Sequence, residues 1–201
     1  MDLQKTKTSL EAKGYRVSCF DSAQSAALYL NSQIDGVSVG FGGSVTVQEM
    51  GLYESLGEHN TVLWHWRVPE GKTPDEMRGE AGSADVYISS VNGLAETGEI
   101  VNIDGSGNRV ASTIFGHKKV YFIVGRNKLA PDADAAMDRA RNIAAPKNAH
   151  RLGVRTPCAE KGDRCYDCSS PARICRAASV FWTCPSGSEY EVVLIGEDLG
   201  Y

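Results

Sequence analysis

Gly36-Val37-Ser38-Val39-Gly40-Phe41-Gly42-Gly43-Ser44-Val45-Thr46 is the stretch that decides the fold. Its first six residues make a short apolar run with the β-branched content of a buried strand. Glycines at 40, 42 and 43 then punctuate the run, and Ser44 offers a side-chain oxygen to the free N–H groups of a first helical turn. A helix is expected from Ser44 to about Leu56. Strand, glycine turn and helix in that order open a crossover unit, from which a parallel sheet covered by helices is built.

The same alternation runs outward in both directions. Upstream, a helical pattern over residues 2–13 leads through Gly14 into the β-prone run Tyr15–Phe20, and Asp21 or Ser22 caps a helix to about Asn31. Downstream lie an apolar strand Thr61–Trp66, a short helix after Thr73 with Pro74 in its first turn, and further core strands at Asp85–Ser90 and Lys119–Val124. Glu99–Ile103 and Asn108–Ser112 flank the turn Gly105-Ser106-Gly107-Asn108 and predict a hairpin. Pro131 is expected to open a helix with Ala135, Ala136, Ala140, Ile143 and Ala144 near one face. Tyr190–Ile195 reads as a last strand at an edge. The fold class is therefore α/β, a mainly parallel sheet flanked by helices. Residues 1–152 form the core, and residues 153–201 form a cysteine-rich segment and final strand packed on the same domain.

The 201 residues are enough to bury a core without disulfide staples. A net charge of -4 argues against a nucleic-acid partner, which calls for a concentrated basic surface. The first residues lack the apolar core of a secretory signal, and no apolar run is long enough for membrane insertion, so a cytoplasmic location is expected. Thiols stay reduced there, and crowded cysteines then point to metal or redox chemistry.

At the glycine turn, a strand end meets a helix start, where free N–H groups favour an anion and Gly42 and Gly43 allow it close approach. A small anionic metabolite, carboxylate or phosphate, is the ligand this suggests, with Ser44 and Thr46 beside it. The alternative is a tight turn serving packing alone. A dinucleotide fingerprint fails because Val45 stands where a third glycine is needed, and Gly71-Lys72-Thr73 fails as a P-loop because Trp66 replaces its first glycine.

Cys158, Cys165, Cys168 and Cys175 are spaced C-x6-C-x2-C-x6-C, followed by Cys184-Pro185. A C-x2-C pair presents two thiolates from one turn, and six-residue intervals let loops return two more. Either an iron-sulfur cluster, with a four-iron cubane favoured, or zinc suits four thiolates, and Arg155, Lys161, Arg164, Arg173 and Arg176 offset the charge of both. Redox-active thiols and unliganded cysteines are the other readings. Cys19, in an expected strand, reads as a small buried hydrophobe.

These residues resemble the LUD-domain (lactate-utilisation) family. The resemblance rests on Gly40–Thr46 with Glu49-Met50-Gly51-Leu52, on Ala95-Glu96-Thr97-Gly98, on residues 115–128, and on Ala145–Leu152 running into Thr156-Pro157-Cys158. It implies a fold like the sugar-phosphate isomerase and CoA-transferase group, a link to oxidation of lactate or a related 2-hydroxy acid, and iron-sulfur partner subunits. Two other functions stand beside it: a transferase or isomerase of phosphorylated or CoA-linked metabolites, and a non-catalytic assembly subunit with structural zinc. Glu96 resembles the nucleophilic glutamate of CoA-transferases, whereas Thr97 and Gly98 suit a loop contacting a small ligand. His117 is a candidate acid or base, or else a hydrogen-bonded structural residue. Lys118, Arg126 and Lys128 either steer an anion or are solvated surface cations.

Overall fold

The computed structural model describes residues 1–201. The chain opens with α1 (Leu3–Ala12), β1 (Arg16–Phe20) and α2 (Ala23–Gln33), and the side chains of Asp2 and Ser22 cap the two helices. After β2 (Ser38–Phe41) come α3 (Val45–Glu49) and α4 (Leu52–Leu56) in place of the single expected helix. Gly51, at φ +61°, breaks it, a left-handed turn that glycine adopts without strain. Next follow β3 (Thr61–Trp64), α5 (Pro74–Ala81) with a complete Thr73–Glu76 capping box, and β4 (Val86–Ser90).

β5 (Gly93–Ala95), β6 (Ile100–Asp104) and α6 (Asn108–Ile114) then lead into β7 (Lys119–Gly125). The predicted hairpin is therefore absent. Asp104 Oδ2 accepts the N–H groups of Arg109 and Val110 at 2.9 and 3.1 Å, so the carboxylate at the end of β6 starts a helix instead of a returning strand. A 3-10 turn (Arg126–Lys128) and β8 (Leu129–Ala130) precede a long helical passage: α7 (Ala133–Arg139), a π-turn (Ala140–Ala144) and α8 (Ala145–Arg151). Asp132, not Pro131, caps it, accepting from Ala135 N. The π-turn falls just before Pro146, which has no N–H to donate to the preceding turn. α9 (Pro157–Lys161), β9 (Ala177–Phe181) and β10 (Glu189–Ile195) complete the chain.

The main sheet is six-stranded, ordered β1-β10-β7-β4-β2-β3, with every neighbouring pair parallel. β10 is thus interior, between β1 and β7, not at the edge. Its side chains explain this: Val192 and Leu194 join the core on one face, Val193 and Ile195 the core on the other. β7 alternates likewise, with Val120, Phe122 and Val124 opposed to Tyr121 and Ile123, so a fully buried strand satisfies both layers. One layer is closed by α2 and α4, the other by α1, α5 and a second, four-stranded sheet ordered β8-β5-β6-β9. β1, one of the two edge strands with β3, leaves Cys19 exposed, correcting its expected burial.

Two glycines are required by backbone approach. A Cβ on Gly40 would lie 2.2 Å from Ala81 O of α5, and one on Gly93 would lie 2.4 Å from Ala136 O of α7. These contacts hold helices hard against the strands whose ends carry the cleft described next.

Candidate functional site

The carboxyl ends of β2, β3, β4 and β7 open into a cleft of about 400 Å³, the place where open parallel sheets present ligand sites. Gly43, Ser44 and Thr46 of the glycine turn line it, with Gly42 directly behind, where a Cβ would meet Ser89 Oγ at 2.7 Å. Ser44 Oγ accepts from Val47 N and so caps α3. Because α3 has five residues, its dipole is slight, and the positive character of the cleft comes from side chains.

Arg78, Arg109 and Arg151 supply that character against the single acidic side chain Asp104, with Lys128 beside them. Asp104 is already committed, accepting from Gly105 N as well as from the start of α6. Arg109 donates to Asn92 Oδ1 and Ile103 O, while Arg151 stacks on Trp66 at 4.7 Å. His65 Nδ1 and Arg78 Nε, both on lining residues, are buried without a hydrogen-bond partner. Burial, aided by Arg78, pushes the His65 imidazolium down to about 4, leaving a neutral ring near pH 7.

Lys128 is the most constrained of these groups. Only 4% exposed, it donates to Thr46 Oγ1 at 2.8 Å and Ser90 Oγ at 2.7 Å, and to no carboxylate. Burial, followed by the repulsion of Arg139 and Arg109, lowers its ammonium to about 7, with Glu49 opposing weakly.

The other sequence candidates lie elsewhere. Glu96 accepts from Asp2 N at 2.6 Å and pairs with Lys5 at 3.2 Å, contacts that hold its carboxyl below the usual range. Thr97 bonds Glu99, and Gly98, at φ +95°, packs against Lys13, so residues 96–98 serve the junction with α1 and do not line the cleft. His117 is also outside it: Nδ1 meets Ala84 O at 2.7 Å, the ring stacks on Tyr87, and burial lowers its pKa. Lys118 and Arg126 pair with Asp85 and Asp198.

Cys158, Cys165, Cys168 and Cys175 all line one small niche on the other side of α8, as free thiols. Asp167 turns at φ +45° between the paired cysteines, the one non-glycine residue of positive φ, and its N–H points to Cys165 Sγ at 3.3 Å. Thr156 Oγ1 lies 3.3 Å from Cys158 Sγ, and Arg141 and Arg173 line the same niche. This donor set suits a thiolate-bound metal, although no group of three or more His, Cys, Asp or Glu stands in metal-holding geometry. Ala145, Ile174 and Cys175 belong to both the niche and the cleft, so the two adjoin.

The LUD-domain model matches residues 3–195, nearly all of this architecture. The chain belongs to the LUD-domain family. A solved DUF162-family protein from Deinococcus radiodurans is similar in fold, with a TM-score of 0.56 at 11% identity, covering 96% of this chain and 95% of that one. No curated protein matches the sequence. No helix of this LUD domain is long and apolar enough to cross a membrane. Its cleft also contains residues that sequence reasoning passed over, Asn92, Arg109 and His65 among them. A usable signal existed for Asn92, which follows the expected strand Asp85–Ser90 by two residues, where a parallel sheet displays its site; His65 and Arg109 lay inside expected strands.

Proposed function

We propose that this LUD-domain protein takes part in oxidising a small 2-hydroxy acid, bound as an anion in the cleft, in company with an iron-sulfur centre on Cys158, Cys165, Cys168 and Cys175. The observation that carries this reading is the shared wall: Cys175, Ile174 and Ala145 face both the cationic cleft and the niche of four thiols. A centre at the niche would supply one-electron transfer. The protein's own share is to neutralise the substrate carboxylate with Arg78, Arg109 and Arg151, and to exclude water by closing the cleft with Trp66 and Leu152. The thiols need to draw together to ligate, and three of the four lie between α9 and β9, outside any helix or strand.

The deciding experiment is purification under anaerobic conditions with iron, sulfide and zinc quantified against protein, alongside a visible spectrum. Brown protein with stoichiometric iron and sulfide, bleached by Cys168→Ser, supports the reading. One equivalent of zinc and no colour would make the niche structural and remove the electron-carrying role. Calorimetry with oxamate, a non-reacting carboxylate, tests the cleft separately, and no measurable binding would overturn its assignment.

A further inference from the structure

Lys128 has a hydrogen-bond arrangement that accounts for both N–H groups of its neutral form. Thr46 Oγ1 gives its own proton to Leu199 O at 3.2 Å, and Ser90 Oγ gives its proton to Ile123 O at 2.5 Å. Both hydroxyl oxygens are therefore left as acceptors, and each takes one N–H of Lys128. A neutral amine has two N–H groups and one lone pair. With both N–H groups engaged, the lone pair is the part left unused, on a residue that lines the cleft.

The surroundings disfavour the charged form of this amine. Arg139 of α7 and Arg109 of α6 repel an ammonium there, and Glu49 of α3, the one carboxylate that opposes them, spends Oε2 on Gly200 N. An ordinary lysine at pH 7 is unprotonated to less than about a thousandth, which leaves it inert toward carbonyls. Lys128, brought down to about 7 by burial first, is in large part a free amine under the same conditions. Cationic side chains across the same cleft supply partners for a carboxylate. A carboxylate carrying a carbonyl on the adjacent carbon uses both features at once.

We propose that Lys128 is a carbonyl-reactive amine that condenses with the keto carbon of a small 2-oxo acid seated in the cleft. The inference rests on the anion-binding reading of the cleft and adds a covalent step to it. The lone pair of Nζ forms a C–N bond as the carbonyl π pair moves to oxygen. That oxygen then leaves as water with the two protons that nitrogen gives up, and C=N replaces C=O. No oxidant or reductant is consumed. A 2-oxo acid is also the oxidation product of a 2-hydroxy acid, so the imine would hold the product of the proposed reaction.

The test is reductive trapping in the full-length native protein. Glyoxylate or pyruvate is added at pH 7 with cyanoborohydride, and the adduct is located by peptide mass mapping. The expected result is a reduced adduct on Lys128 at least about ten-fold above Lys7, Lys72 or Lys147, suppressed by excess oxamate. The α-amino group, which titrates near pH 8, serves as an internal reference for label. Lys128→Arg should abolish the adduct while the α-amino group keeps its label. Oxamate binding with Lys128 unlabelled overturns the inference and leaves the anion site standing. Failure of both oxamate binding and labelling overturns the two together.

Discussion

The cleft and the cysteine niche lie against two sides of α8 and are built in opposite ways. In the cleft, Lys128, Arg109 and Asp104 are each tied by hydrogen bonds to strand ends or to one another's backbone, so the polar arrangement exists before any ligand arrives. In the niche, Cys158 sits on the short α9 and the other three thiols on irregular chain between α9 and β9, half-exposed and held by side-chain bonds such as those of Arg173 to Cys168 O and Cys175 O, without a strand ladder. A rigid scaffold makes a preorganised site, whereas a loop with soft donors waits for its ligand to organise it. The contrast yields measurable differences.

The largest concerns the niche. Reconstitution of reduced protein with iron and sulfide should raise the thermal midpoint strongly, because metal that orders a segment contributes on the order of 10 kcal/mol. Cys165→Ser combined with Cys168→Ser should erase that gain, and an unchanged melting curve in the unsubstituted protein would make the two regions alike in needing no ligand. On the scaffold side, Gly93→Ala should cost about 3 kcal/mol in denaturant melts, since the added methyl meets Ala136 O at 2.4 Å. A neutral outcome would show that α7 yields and that the cleft wall is softer than its contacts imply.

Lys128 sharpens the comparison through pH. Its folded-state pKa, about 7, lies below the unfolded value, so the unfolded chain binds more protons between roughly pH 7 and 10 and stability rises with pH across that window. Lys128→Met removes the penalty and should be about 2 kcal/mol more stable than the parent at pH 6, with the gap closing toward pH 10. A gap that does not change with pH would mean that the amine is charged in place. Smaller again, Arg151→Gln should weaken oxamate binding about five-fold by calorimetry, roughly 1 kcal/mol. Smallest of all, Glu96→Gln should leave that affinity unchanged, since its carboxylate serves Asp2 and Lys5. A marked loss of affinity would return Glu96 to the site.

The parallel sheet was legible because its strands are continuous apolar runs, as at Val120–Val124, that need no partner to be recognised. β5, β8 and β9 were not: two or three residues, or a run as plain as Ala177-Ala178, become strands only through pairing with β6 or β5. α6 was misread for a related reason, since its start is set by Asp104 reaching forward from the end of a strand. At the site, the place of Gly43, Ser44 and Thr46 on the cleft was legible from the turn chemistry, and the gathering of the four cysteines around one niche from their spacing. Lys128 read by default as a solvated surface cation, because the partners that hold it inside, Thr46 and Ser90, are far away in sequence.

The π-turn at Ala140–Ala144 adds one residue to a helical circuit, and so advances everything after it by about a third of a revolution. That phase sets Asn148 and Arg151 on the cleft while Pro146 and Ala149 face the niche of the sulfurs. Deleting a single residue from the turn would keep the helix and its composition, yet swing its functional stripes away from both neighbours at once.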